Sequence, residues 1–176
     1  YVGNWPGVTV EKVEGKVRGR DGVTVTDLPG IYSLSPYTPE EVVSRTYLLS
    51  DEPSAVLNIV DASNIERNLY LTTQLMELGK PVVIALNMID VVNKKGDKIN
   101  VEKLSSLLGC KVVETSALKG KGIDKACEKA CLEAEKGNLF DIRPCFSADV
   151  EEAVSAVSEL LPSEIKPVLR RWYAIK

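Results

Sequence analysis

The sequence predicts an α/β fold in which a mostly parallel sheet, flanked by helices, is followed by a small α-helical subdomain. Over the middle of the chain, short apolar runs alternate with helical stretches, which is the pattern of a parallel sheet covered by helices. The first two runs carry few charges, as strands buried on both faces require. Beyond residue 138 only helical periodicity remains. These observations divide the chain into an α/β region, 1–138, and a helical region, 139–176.

The N-terminal part is predicted to contain a β-hairpin and a helix. Asp21 and Gly22 separate two β-prone segments, 8–18 and 23–26, and Asp-Gly between such segments is a strong hairpin signal. Thr38 has the features of an N-cap, because Pro39 occupies the first helical position and Glu41 can close a capping box. We expect this helix to end near residue 50.

Three strands and three helices are predicted in the middle of the chain. The strands cover 55–60, 82–86 and 111–115, and the helices cover 63–79, 100–108 and 122–136. Ser63 and Glu66 are expected to form a second capping box, and Gly109 is expected to end its helix. The lysine-rich segment 94–98 is predicted to be a loop.

The helical region is predicted to contain two amphipathic helices. Ser147 is a suitable cap for the first helix, and Pro162 ends it. Leu169 and Trp172 belong to the apolar stripe of the second helix. The apolar stripe of the first helix consists of Val150, Ala153, Val154, Val157, Leu160 and Leu161.

Composition excludes several classes of protein. With 44% hydrophobic and 27% charged residues, the 176-residue chain has an ordinary globular balance. Its net charge of -3 gives no bulk attraction to nucleic acid, and no apolar run reaches the roughly 20 residues of a membrane span. Histidine is absent, which excludes Ser-His, Cys-His and His-metal chemistry. Cys127 and Cys131 share a helix face, which allows a metal or redox pair, but small buried hydrophobes are the favoured interpretation.

Two polar segments that follow predicted strands suit a nucleotide. In DLPG, 27–30, Asp27 can reach a magnesium ion through water and the Gly30 N–H can bind a terminal phosphate. An ordinary turn is the alternative. In NMID, 87–90, Asn87 can lie beside a purine N7/O6 edge, while Asp90 accepts from a ring N–H and an exocyclic amine. Only guanine offers that pair of donors, although a polar strand end is the alternative.

A third segment, Ser116-Ala117-Leu118, follows the third strand, and the Ala117 N–H can bind a carbonyl oxygen such as guanine O6. The three segments occur in order, each at the C-terminal end of a predicted parallel strand, where open α/β sheets bind ligands. Together they resemble the motifs of a P-loop GTPase of the Ras-like, translation-factor-related class. The resemblance assigns DLPG to magnesium and the γ-phosphate of GTP, and it assigns NMID, including Met88, and SAL to guanine.

Longer strings narrow this resemblance to one family. Segments 2–11 (VGNWPGVTVE), 27–37 (DLPGIYSLSPY) and 66–75 (ERNLYLTTQL) are similar to the ferrous-iron transporter B (FeoB) family. The similarity covers about residues 1–135, and RWYAIK, 171–176, resembles a helix of the family's helical domain. It implies a region that binds GTP or GDP at the cytoplasmic face of the cell membrane. This region, itself soluble, precedes a membrane domain that carries Fe²⁺.

The resemblance also implies roles for single residues. Thr9 is the switch threonine that binds Mg²⁺ together with Asp27. Trp5 either stacks on the nucleotide or shields its loop. Position 31 is isoleucine where Ras-like enzymes have a catalytic glutamine, so no catalytic side chain is assigned. The family's activating K⁺ is a further expected ion.

The family's phosphate-binding loop, G-x-x-x-x-G-K-S/T, does not occur in this sequence. That loop follows the first strand of the sheet and supplies most phosphate contacts. We therefore expect a fold that lacks its first strand and P-loop, and a chain that alone does not hydrolyse GTP. Two alternative hypotheses are a non-catalytic interaction module and a truncated gene fragment derived from such a GTPase.

Overall fold

The structure is a computed structural model that describes residues 2–4, 11–35, 38–137 and 146–176. The chain divides into two compact units, Tyr1–Pro53 and Ser54–Lys176. Each unit has its own sheet, one antiparallel and one parallel.

The sheet of the first unit is antiparallel. Its strands β1 (Val2–Asn4), β2 (Glu11–Lys16) and β3 (Thr24–Asp27) lie in that order, and each pairs with the next. β2 and β3 form the predicted hairpin. The turn between them contains Gly19 and Gly22 with φ of 70° and 78°. Positive φ strongly favours glycine, and Gly22 of the Asp-Gly pair adopts it. The turn therefore lies where the Asp-Gly signal predicted it.

Helix α1 (Pro39–Leu49) begins as predicted. The Glu41 N–H donates to Thr38 Oγ1 at 3.3 Å, and the Thr38 N–H donates to the Glu41 carboxylate at 3.1 Å. Both bonds of the capping box therefore form. Ser44 and Leu48 are the buried residues of this helix.

Three parallel strands form the sheet of the second unit. β5 (Val82–Asn87) lies between β4 (Val56–Asp61) and β6 (Lys111–Glu114), which confirms the three predicted strands. Residues 82–86 of β5 are all buried, as expected for the middle strand of a sheet covered on both faces. Asp61 and Asn87 are paired in register, so the polar ends of β4 and β5 are level.

Helices pack on the sheet of the second unit and contribute to two core clusters. Ile84 and Leu86 belong to one cluster, and Ala85 belongs to the other, which includes Ala126 of the fifth helix. Successive strand residues alternate between faces, so the clusters lie on opposite faces of the sheet. The helices are α2 (Ile65–Met76), α3 (Ile89–Lys94), α4 (Val101–Leu108), α5 (Ile123–Lys136), α6 (Ala148–Leu160) and α7 (Pro167–Ile175).

Two local predictions in this unit are wrong. Ser63 and Glu66 do not form a capping box, because a 3₁₀ turn, Ala62–Asn64, precedes α2. There Asp61 accepts hydrogen bonds from the N–H and the hydroxyl of Ser63, at 2.8 and 2.7 Å, and so engages the cap residue itself. The segment predicted as a lysine-rich loop is partly helical, since Lys94 is the last residue of α3.

The helical region contains the two predicted helices, separated near Pro162. Leu169 and Trp172 of α7 are buried, as the apolar stripe predicted. In α6 only Val154 is buried, and other members of the predicted stripe are exposed. Ser147 precedes α6, but its side chain makes no capping hydrogen bond. The boundary at 138/139 lies outside the described residues and stays a prediction.

Two arginines of α7 bind other helices of the second unit. The Arg170 guanidinium donates to the carbonyl oxygens of Ser158 and Leu161, at 2.6 and 2.7 Å, and so satisfies the C-terminal end of α6. Arg171 bridges Glu151 of α6 and Glu77, the residue directly after α2, with both N···O distances at 2.6 Å. Glu77 is buried, so this ion pair joins α7 directly to the sheet-packing helices.

Candidate functional site

The chain turns sharply where β5 ends. Asn87 is the last residue of the strand, and Met88 has φ 63° and ψ 24°, in the left-handed region. α3 begins at the next residue, which places Asp90 in its first turn. Met88 is the only non-glycine residue with positive φ in the described part of the chain. Such a conformation costs about 1 kcal/mol, and strain of this kind clusters at ligand sites.

A second loop follows β6. Ala117–Lys119 form a 3₁₀ turn, and Ser116 and Lys121 exchange backbone hydrogen bonds of 3.0 and 3.1 Å across its base. Gly122, with φ 75°, directly precedes α5, and a Cβ there would collide with the Glu114 carbonyl oxygen. The close approach and the positive φ together require glycine where this loop meets the helix.

Side-chain hydrogen bonds join the two loops. Ser116 Oγ donates to Asp90 Oδ1 at 2.9 Å, and the Ala117 N–H donates to Asn87 Oδ1 at 3.0 Å. Thr115 Oγ1 approaches the same amide oxygen at 3.4 Å. The structure therefore brings together four residues that the sequence analysis selected from two distant segments.

These bonds also orient the Asn87 amide. Because its oxygen accepts two donors, its Nδ2 points the opposite way, and it donates to none of the described residues. The Ala117 N–H, which the sequence analysis assigned to a base carbonyl, is bound to Asn87. A base carbonyl must share or replace that bond, so the role of Ala117 stays a prediction.

Asp90 has a partner on each carboxylate oxygen. Lys119 Nζ lies 2.9 Å from Oδ2, while Ser116 donates to Oδ1. The hydrogen bond from Lys119, and after it the one from Ser116, lowers the pKa of Asp90. The carboxylate is therefore ionised at neutral pH, which is the form that accepts two N–H donors. The sequence analysis gave Lys119 no role, because nothing in the local sequence indicates its partner.

The same two loops carry apolar side chains that are exposed. Met88 is 41% exposed and Leu118 is 96% exposed. Exposed apolar surface beside an ionised carboxylate and a free amide donor is the combination that a flat, polar-edged ring requires. Both residues were selected from the sequence as part of the site.

The DLPG segment lies in the first unit, at the end of β3. Asp27 and Gly30 are exposed, and the Asp27 carboxylate contacts no partner among the described residues. Ser44 Oγ donates to the Pro29 carbonyl oxygen at 2.9 Å. The prediction that this segment follows a parallel strand is wrong for the described part of the chain, because there β3 pairs only with β2, as the antiparallel second strand of a hairpin. Thr9 and Trp5 lie outside the described residues.

The three described cysteines behave as small hydrophobes. Cys110 and Cys131 are buried, and burial raises the pKa of Cys110 to about 11, so that it remains a thiol at neutral pH. Burial, the largest cause, also raises the pKa of the half-buried Cys127. Among the described residues, no cluster of three His, Cys, Asp or Glu side chains is placed to hold a metal.

Solved structures define the class of protein first. The chain matches a mutant of S. thermophilus NFeoB bound to GDP with a TM-score of 0.93, at 52% identity, over 100% of this chain and 68% of that one. S. thermophilus NFeoB bound to mGMPPNP matches with a TM-score of 0.87, also at 52% identity, over 100% of this chain and 66% of that one. The fold is therefore that of a G domain, a parallel sheet flanked by helices.

Sequence comparisons then give the family. The family described as "Ferrous iron transport protein B" matches residues 1–130, so the chain belongs to the FeoB family. The Fe(2+) transporter FeoB of Escherichia coli K12 is 38% identical over 99% of this chain and 23% of its own length. An Fe(2+) transport protein A/FeoB fusion protein of Porphyromonas gingivalis is 45% identical over 100% of this chain and 22% of its own length.

The chain thus spans less than a quarter of the length of these curated relatives. No helix in its described ranges is long and apolar enough to cross a membrane.

Proposed function

We propose that this chain is the guanine-nucleotide-binding region of a FeoB-type ferrous-iron transport protein. The observation that carries the proposal is the hydrogen-bonded joining of the NMID and SAL loops, which presents Asp90 and the Asn87 amide together. The GDP and GMPPNP held by the structural relatives support it.

Guanine is selected mainly by Asp90. Its ionised carboxylate accepts from the N1–H and the exocyclic amine of guanine, whereas adenine presents no such pair of donors. The Asn87 Nδ2 donates to the N7/O6 edge. Met88 and Leu118 cover the faces of the base, and the bonds from Ser116 and Ala117 hold the polar groups in place before the base arrives, which reduces the entropic cost of binding.

The phosphate end involves DLPG and the switch threonine. Asp27 is an exposed carboxylate at a strand end, an oxygen ligand of the type that Mg²⁺ accepts beside waters and phosphates. Asp27 would hold the ion through water and Thr9 would bind it in the GTP state, while the Gly30 N–H donates to the γ-phosphate. Bound Mg²⁺ neutralises negative charge that develops on the phosphates during hydrolysis. An activating K⁺ belongs to the same proposal.

The 176-residue chain by itself is proposed to be hydrolysis-deficient, since it contains no G-x-x-x-x-G-K-S/T string. We expect phosphate release from GTP at background rates and GDP affinity weaker than millimolar, as three missing charge-assisted contacts cost roughly three to six decades. Phosphate-release assays and calorimetric titration measure the two quantities. Micromolar GDP binding would instead mean that another segment replaces the phosphate loop.

In the full-length protein, GTP binding and hydrolysis are proposed to be coupled to Fe²⁺ uptake. This region would lie at the cytoplasmic face of the membrane and act on a membrane domain that carries Fe²⁺; the relatives' names, which describe Fe(2+) transporters, support the link to iron transport. Residues 1–138 would form the GTPase part, and 139–176 would begin a helical, regulatory part.

The decisive experiment compares GDP, ADP and xanthosine diphosphate on the full-length protein. Unmodified protein should prefer GDP, and Asp90→Asn should weaken GDP binding by about 100-fold while improving xanthosine diphosphate binding. Displacement of a fluorescent nucleotide measures all three. Asp97→Asn, in the exposed loop after α3, is the matched control and should change nothing. Unchanged GDP affinity in Asp90→Asn would refute the base-recognition assignment.

A further inference from the structure

We infer that Ser44 is a positioning residue, which aims the Gly30 N–H at the γ-phosphate of a bound guanosine triphosphate. This inference rests on the proposed function. It adds a residue that lies well after the DLPG segment in sequence, on α1, and that has no place in any of the three motifs.

The Ser44 side chain is fully buried, at 0% exposure. A buried hydroxyl is costly unless it makes a hydrogen bond, and the one that Ser44 donates goes to the Pro29 carbonyl oxygen at 2.9 Å. The hydroxyl lies within the second turn of α1, whose start is set by the capping box of Thr38 and Glu41. The bond therefore ties the DLPG loop to a well-anchored helix.

The Pro29 carbonyl and the Gly30 N–H belong to the same peptide unit. That unit is planar and trans, because the described residues contain no cis peptide bond. In a trans peptide the C=O and N–H point in opposite directions. By holding the oxygen towards α1, Ser44 directs the Gly30 N–H away from the helix, and that N–H donates to no described residue.

The free N–H on an exposed glycine is thus oriented before any ligand binds. Without the Ser44 bond, the peptide plane can rotate about the flanking ψ of Pro29 and φ of Gly30, and glycine resists such rotation less than any other residue. The fixed plane lowers the entropic cost of binding the terminal phosphate. It also makes the direction of this N–H depend on the position of α1.

The test measures affinity for GMPPNP and for GDP on the full-length protein, because only the triphosphate analogue has a γ-phosphate. Ser44→Ala should lower GMPPNP affinity by about three- to tenfold and leave GDP affinity within about twofold. Ser44→Thr, which keeps the hydroxyl, should restore the unmodified ratio of the two affinities. The matched control is Ser50→Ala, at the residue that follows α1, which removes a 2.7 Å hydrogen bond to the Tyr47 carbonyl but touches no DLPG residue.

If Ser44 had a purely structural role, Ser44→Ala would lower the Tm and change the GMPPNP and GDP affinities by the same factor. That is the result expected for Ser50→Ala, in which the ratio of the two affinities should stay as in the unmodified protein. An unchanged GMPPNP/GDP ratio in Ser44→Ala, with normal binding by the unmodified protein, would overturn this inference alone. So would tighter GMPPNP binding, since the bond would then favour the state without a γ-phosphate. If the unmodified protein does not prefer guanine to adenine nucleotides, the proposed function fails, and this inference fails with it.

Discussion

The two candidate-site regions of this chain, one in each unit, differ in how their polar groups are held. In the second unit, the loops after β5 and β6 bind each other through Ser116–Asp90 and Ala117–Asn87 hydrogen bonds, and Asp90 has a further partner in Lys119. In the first unit, the Asp27 carboxylate contacts none of the described residues, and one side-chain bond holds the DLPG backbone. Under the proposed function, the polar groups that discriminate between bases are held by several bonds, whereas the Asp27 carboxylate, which responds to the changing ligand, has no partner among the described residues.

This contrast has a physical basis. Discrimination between bases requires that a mismatched partner leave rigid polar groups without hydrogen bonds. A response to GTP and GDP requires instead that the same segment have two accessible arrangements of similar free energy. The three predictions that follow test this contrast, and their expected effects decrease in order.

The largest effect is expected from Gly122→Ala. A Cβ at this position collides with the Glu114 carbonyl oxygen, so the loop of Ser116 and Ala117 must move. We expect a loss of about 3 kcal/mol in the free energy of unfolding and a clear loss of GDP affinity. Gly137→Ala is the matched control at the other end of α5, because its φ of 61° is similar but no described residue lies near the new Cβ. It should cost about 1 kcal/mol and leave GDP affinity unchanged; equal effects of the two substitutions would contradict the rigid-loop interpretation.

A smaller effect is expected when each loop loses its carboxylate. Asp90→Ala should lower the Tm by a few degrees, whereas Asp27→Ala should leave it unchanged, since of these two carboxylates only Asp90 has partners among the described residues. The folded-state pKa of Asp90 is lowered from its ordinary 3.8, so its contribution is present above that value and is lost as the pH falls through the lowered pKa. Thermal melts between neutral and strongly acidic pH should show the Tm of Asp90→Ala and the Tm of the unmodified protein converge as the pH falls. A Tm loss in Asp27→Ala equal to that in Asp90→Ala would remove the contrast.

The smallest effect is expected from Lys119→Met. Lys119 donates to the Asp90 oxygen that the base must also use, so its removal should tighten GDP binding by about two- to fivefold. High salt should reduce the difference, because the Lys119 side chain is exposed to solvent. Lys121→Met, in the same loop, is the control. If Lys119→Met weakens GDP binding, the lysine contacts the nucleotide itself rather than competing with it.

Much of the fold could be predicted because its signals are local. The capping box of Thr38 and Glu41, the Asp-Gly turn and the helix end at Gly109 each depend on residues within a few positions. The three candidate site segments were found by the same kind of local pattern. Their joining was inferred from the rule that parallel strands end at one edge, and the NMID and SAL loops confirm that inference.

The features that could not be predicted depend either on partners distant in sequence or on competition between hydrogen-bond partners for the same residue. The predicted capping box at Ser63 does not form, because both the N–H and the hydroxyl of Ser63 donate to Asp61, at the end of β4. Residues 94–98 were predicted to be a loop, and this prediction missed the end of α3. That helix begins directly after Met88, which is in the left-handed region, and no side chain caps its N-terminus. The pairing of Lys119 with Asp90, and that of Ser44 with Pro29, joins residues that no short motif contains.

The ion pair between Arg171 and Glu77 has a consequence for how the second unit unfolds. Glu77 directly follows a helix that packs on the sheet, and it is buried, so loss of α7 would take the Arg171 cation away from a carboxylate with little access to water. A protease cut between α5 and α6 would therefore weaken the parallel sheet as well as release two helices. We expect hydrogen exchange to find α2, α7 and β5 opening as one cooperative block, with protection lost together when Arg171 is replaced by methionine.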